Sequence, residues 1–146
     1  MKAISHEKVE GMIKTFAPLV FIRDVTVGGE SANATVSVDD ESWLLNEHFS
    51  GTSIIQSFFQ LAMVLYYQHK PDFDLKTQLF FLGGLKVKYF LPILHKDKVD
   101  FQLNTARFAS GVLLFEGVCK NKDGKKIATM SGSIVSKPRT TLNKEK

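Results

Sequence analysis

At 146 residues, 44% hydrophobic and 23% charged, the chain can hide roughly two-thirds of the surface it would expose unfolded, enough for one compact core and too little for two. Its 12 phenylalanines exclude the low-hydrophobicity, high-charge composition of disorder, and a single cysteine excludes an intramolecular disulfide framework and a multi-thiolate metal site. The net charge of +4 admits nucleic acid, an anionic membrane surface or an acidic protein as partner without choosing among them.

The stretch from Met1 to Glu10 carries Lys2, His6, Glu7, Lys8 and Glu10 and has no apolar run, so neither a signal peptide nor a membrane anchor is expected there. With one thiol, the cytoplasm is the expected compartment. Val9, Met12, Ile13 and Phe16 recur at helical spacing, which predicts a short amphipathic helix from Ser5, its cap, to Thr15, ended by Pro18. Leu19 to Val27, a Gly28-Gly29 turn and the alternation of Ala32, Ala34, Val36 and Val38 predict a β-hairpin. Trp43 to Gly51 reads as irregular. Thr52 then opens an apolar run to Tyr67 that covers nearly all faces of a helix, so that helix must be buried on most sides. It is too short, and too interrupted by Gln56, Ser57 and Gln60, to span a membrane. Pro71 to Lys76 is a loop. Strands are expected over Leu79–Pro92, Lys98–Phe108, Val112–Lys120 and Lys126–Ser136, the last two joined by a turn at Asn121-Lys122-Asp123-Gly124.

The expected class is therefore α+β: an antiparallel sheet wrapped around one long hydrophobic helix, an architecture that resembles the hotdog fold. Residues 1–137 form one domain on this reading and 138–146 a polar tail. A subunit of this kind leaves a sheet edge open, so a homodimer is expected.

Specific residues extend the resemblance. The segment DESWLLNEHFSG, Asp40 to Gly51, is similar to the segment of bacterial 3-hydroxyacyl-acyl-carrier-protein dehydratases that ends in His-Phe-Pro-Gly; here those positions are His48-Phe49-Ser50-Gly51. PLVFIRDV, Pro18 to Val25, resembles that family's entry strand, and GGLKVKYFLPILHKDK, Gly83 to Lys98, its strand with a basic and aromatic alternation. The resemblance implies a site for fatty or polyketide-type acyl thioesters carried on the phosphopantetheine of an acyl carrier protein or coenzyme A, with no other cofactor and no metal. It implies His48 as the catalytic histidine, Gly51 as the glycine after it, a backbone N–H donor at Ser57 and a carboxylate at the position occupied by Ala62. Gly83 and Gly84, within a strand, mark a bulge or the close approach of another backbone, with the approach of pantetheine as the functional alternative.

Dehydration of a 3-hydroxyacyl thioester uses two titratable groups in different roles, and this chain supplies one. No Asp or Glu occurs between Thr52 and Gln68, the family's prolines are replaced by Ser50, Ser53 and Gln56, and its later small residue and glutamine by Met63 and Tyr66. Gln60 can hold a hydroxyl or a water but cannot exchange a proton. Three readings follow: a dehydratase using His48 with water or Gln60, a hotdog thioesterase using His48 or a helix-terminus N–H, and a non-catalytic subunit that binds acyl chains or acyl carriers or partners an active homologue.

Blander readings attach to the rest. His6, His69 and His95 lack partners at metal-ligand spacing and read as exposed; Cys119 reads as a buried, inert thiol. Lys120, Lys122, Lys125 and Lys126 read as a solvated turn or as a docking patch for an acidic carrier. A nucleic-acid interface would need exposed aromatics among basic residues, and Lys86, Lys88 and Tyr89 are too few.

Overall fold

The computed structural model describes residues 1–13, 19–74 and 77–138. Helix α1, His6–Ile13, buries Val9 and Ile13, and Ser5 caps it by accepting from the Lys8 N–H at 3.2 Å. The expected end of this helix at Thr15 and Pro18, Lys76 of the loop, and the tail beyond residue 138 lie outside the described residues.

A short strand β1, Lys2–Ala3, precedes α1, and the predicted hairpin is β2, Arg23–Gly28, with β3, Ser31–Ser37. Strands β4, Leu44–Leu45, and β5, His48–Phe49, occupy the segment expected to be irregular. The buried helix α2 runs from Gly51 to His69, and β6 follows from Gln78 to Tyr89. The strand predicted to Pro92 ends at Tyr89, and beyond it β7 is Ile93–Leu94, β8 Lys98–Ala109, β9 Val112–Lys120 and β10 Lys126–Pro138.

Seven strands form one antiparallel sheet in the order β1-β2-β3-β8-β9-β10-β6, while β4, β5 and β7 form a second, small sheet. Alternation turns Ala32, Ala34 and Val36 of β3 and Phe101 and Leu103 of β8 inward onto α2. Phe58 of α2 meets Phe101 edge-on, with ring centroids 4.8 Å apart. Gly117 of β9 is required at this contact, because a Cβ there would lie 2.3 Å from Leu103 and 2.9 Å from Phe58. Ten residues of α2 are buried, and each large apolar side chain among them contributes about 1.5–3 kcal/mol.

The sheet curves around the helix with the help of bulges, one of them opposite Ser133 and Ile134, where Gly83 is the unpaired residue of β6. A Cβ on Gly83 would sit 2.6 Å from Ser133 Oγ, so the glycine serves the bulge. Strand β6 is the outer edge of the large sheet and carries exposed Phe81, Leu82, Leu85 and Tyr89. No helix of the described residues is long and apolar enough to cross a membrane.

Candidate functional site

The site is built from the small sheet, the start of α2 and the end of β6. Asn46 and Glu47 both take positive φ, +52° and +69°, the requirement of the two-residue turn that joins β4 to β5. Asn adopts that conformation readily; Glu47 carries strain of about 1–2 kcal/mol. Alternation then sends Phe49 into the core, where its ring meets Phe21 edge-on at 5.1 Å, and leaves His48 on the opposite face beside exposed Leu45 and Leu94.

His48 Nδ1 lies 3.1 Å from the Asn46 carbonyl oxygen. A carbonyl only accepts, so Nδ1 carries the proton of the neutral ring and Nε2 keeps its lone pair free to act as a base.

Ser50 caps α2: its Oγ accepts from the Ser53 N–H at 3.1 Å, and its carbonyl accepts the first helical bond, from Ile54 N–H at 3.0 Å. The amides of Gly51 and Thr52 therefore have no helical acceptor, and they lie at the positive end of the helix. Tyr89, at the end of β6, donates its hydroxyl to the Gly51 carbonyl at 2.9 Å. Burial raises the pKa of this phenol above its ordinary value, which keeps it protonated.

His48, Gly51, Ile54 and Tyr89, with Phe90, Leu91 and Pro92, enclose a mostly apolar groove of about 380 Å³. It contains one imidazole, the Gly51 amide at its helical end and no carboxylate. A second cavity of about 330 Å³ lies over β2, β3, β8 and β9, between Asp24, Thr35, Asp100, Lys120 and Lys122. Its walls carry both signs of charge, and it contains no histidine.

The structure brings His48 and Gly51 together and disperses the other expected site residues. Ser57 is buried on the second turn of α2 and donates its hydroxyl to the Ser53 carbonyl at 2.9 Å; in a regular helix its N–H serves the same carbonyl, so the free donors lie at Gly51 and Thr52 instead. Gln60 is 1% exposed, donates Nε2 to Leu19 O at 2.7 Å and accepts at Oε1 from Phe21 N–H at 2.9 Å. It pins the chain ahead of β2, with both ends of its amide engaged by backbone. Gln60→Leu is expected to leave both backbone groups unpaired and to lower stability by about 2–4 kcal/mol, measured by urea unfolding; a loss under about 1 kcal/mol would mean that water replaces the amide.

Ala62 is completely buried in the chain's own core and does not line the groove. Gly83 and Gly84 lie outside the groove as well, Gly84 on the outer sheet surface near Leu85 and Ser131. Sequence reasoning missed Tyr89 as a site residue, taking it only as part of a basic alternation.

The other histidines are half-buried rather than exposed. His6 Nε2 sits 2.7 Å from Glu10 Oε1 and 2.6 Å from Arg23 Nη1. His69 stacks on Phe108 and meets Thr105 Oγ1 at 2.7 Å. His95 reaches the Asp39 carbonyl at 3.2 Å. Among the described residues no group of three or more His, Cys, Asp or Glu could hold a metal ion. Cys119 is fully buried, and burial pushes its thiol up to about 12.

No protein-family model and no curated protein sequence matches the chain. Solved structures do. The dehydratase heterocomplex ApeI:P from Xenorhabdus doucetiae is similar with a TM-score of 0.79 at 19% identity, over 94% of this chain and 95% of that one. A mutant form of the thioesterase PA1618 from Pseudomonas aeruginosa is similar with a TM-score of 0.71 at 14% identity, over 92% and 95% of the two chains. A Staphylococcus aureus protein solved in complex with CoA, SAV2348, reaches 0.66 at 16% identity, over 80% and 75%. The chain has the hotdog fold, an antiparallel sheet wrapped around one long hydrophobic helix.

Proposed function

We propose that the groove beside His48 binds an acyl thioester on the phosphopantetheine arm of coenzyme A or an acyl carrier protein, and that the chain is a dehydratase-like hydro-lyase for 3-hydroxyacyl forms of it. The observation that carries this reading is the Nδ1 contact of His48 to the Asn46 carbonyl, which turns Nε2 away from that carbonyl, three residues before the Gly51 amide at the start of α2. With the thioester carbonyl against the Gly51 and Thr52 amides, charge developing on its oxygen is stabilised as Nε2 takes the C2 proton. The C2–C3 double bond forms, the C3–O bond breaks, and the imidazolium returns the proton to the departing hydroxide as water. Phe90, Leu91, Pro92 and Ile54 supply apolar walls for the chain. Similarity to a dehydratase heterocomplex and to a protein in complex with CoA supports the same ligand class.

Hydrolysis is the second reading, favoured by the lack of a carboxylate in the groove and by the similarity to a thioesterase. Here Nε2 takes a proton from water, which adds to the carbonyl and expels the thiol. One incubation with 3-hydroxyoctanoyl-CoA separates the readings: absorbance of the conjugated enoyl thioester without free thiol supports dehydration, and thiol release without enoyl product supports hydrolysis. Neither signal, with ligand still retained, leaves a binder without catalysis. Cys119 is too buried and too weakly acidic to contribute thiol background.

Two copies joined along the β6 edge form the expected assembly, since that edge combines free backbone groups with exposed Phe81, Leu82 and Leu85. Sedimentation at micromolar concentration is expected to give about twice the 16.4 kDa chain mass, and a monomer would contradict it. Residues 48–71 and 75–96 contain no Asp or Glu, so a second copy docked by β6 brings no acid on β6 or α2. Exposed Lys86 and Lys88 precede Tyr89 on β6 and suit an acidic carrier protein. The cytoplasm is the compartment this reading implies.

A further inference from the structure

We propose that Tyr89 sets ligand preference in the His48 groove by offering a hydrogen-bond acceptor to an acyl chain that carries a hydroxyl. The inference rests on the reading of the groove as an acyl-thioester site. The phenol is neutral and its single proton is engaged by the Gly51 carbonyl at 2.9 Å. Its oxygen therefore meets a ligand with lone pairs alone, and it accepts from a donor while gaining nothing from a plain alkyl chain.

The placement is fixed from both sides. Tyr89 ends β6 at the mouth of the groove, and its ring lies against Gly51, where a Cβ would come within 2.9 Å of the hydroxyl oxygen and 3.0 Å of Cζ. Any larger residue at position 51 moves the phenol. Tyr89 is 48% exposed in the single chain, and the same groove holds His48. Base, amide donors and a preset acceptor then line one apolar space. The acceptor suits the hydroxyl of a 3-hydroxyacyl thioester, whereas an unsubstituted acyl chain leaves it unmatched.

The test uses unreactive thioethers, S-(3-hydroxyoctyl)-CoA and S-octyl-CoA, so that nothing is consumed while dissociation constants are measured by calorimetry on the full chain. The native protein is expected to bind the hydroxylated thioether about three- to tenfold more tightly, the range of one hydrogen bond. Tyr89→Phe is expected to bind the two equally with an unchanged Tm. Gly51→Ala keeps the hydroxyl but displaces it, and the same preference is expected to vanish. Equal affinities in the native protein, or a preference that survives in either variant, overturns the proposal while leaving the groove as the acyl site. Failure of the native protein to bind either thioether overturns the acyl-thioester reading and this proposal with it.

Discussion

Ala62→Glu is expected to destabilise the protein rather than complete a catalytic pair. Residue 62 is where the dehydratase resemblance would put a carboxylate, yet the side chain there is completely buried within its own subunit and absent from the groove walls. A glutamate at this position overpacks the core and loses its hydration with no partner in reach, at a cost of at least about 3 kcal/mol. For a chain of this size that lowers Tm by roughly 10 °C or more. The sign of the pH dependence follows from burial. The buried acid's pKa is raised above its unfolded value of about 4.3, so the deficit is smallest in acid and grows as the pH rises through and above that value. Thermal unfolding at acid and neutral pH checks both parts. A variant as stable as the parent, and more active on 3-hydroxyacyl-CoA, would mean that residue 62 faces the ligand after all.

His48→Ala is expected to lower turnover of the acyl thioester by about 10²–10⁴, the contribution of one positioned base. The loss should fall on kcat more than on KM, because the apolar walls of the groove and the helix amides remain in place. His48 is half-buried on the outer face of the small sheet, so its removal leaves Phe49 and the core beneath it undisturbed. His48→Gln is the complementary variant: it keeps a polar side chain but supplies no base, and it should be as impaired as the alanine. A loss below about tenfold in both variants would remove His48 from the chemistry and leave the helix amides to act with water alone.

The resemblance and the structure part company at the start of α2, for a physical reason. A proline at position 56 would obstruct a helix through this stretch, whereas positions 50 and 53 fall at its cap and first turn and Gln56 lets it run on. Ser50 becomes the cap, the helix begins at Gly51, and the free amides move from Ser57 to Gly51 and Thr52. The helix was expected from Thr52 and begins at Gly51; only the position of its free amides, which the resemblance put at Ser57, was not legible.

The long elements were legible because periodicity over many residues is a strong signal: the alternation of β3 and the apolar faces of α2 predicted both. Strands β4, β5 and β7 have two residues each and exist through pairing with one another, so no local pattern could announce them. Gln60 failed for a related reason. An amide on a buried helix looks available for a ligand until the path of Leu19 to Phe21 across it is known. Tyr89 needed the same kind of information, namely that the end of β6 reaches the first residue of α2.

Where the ligand sits can be read residue by residue from a titration of ¹⁵N-labelled protein with S-octyl-CoA. The account predicts the largest amide shifts at Gly51 and Thr52, with smaller ones at His48 and Tyr89 to Leu91, and little change around Asp24, Asp100 and Lys120. Shifts confined to the cavity between Asp24 and Lys120, with Gly51 and Thr52 unmoved at saturation, would contradict it.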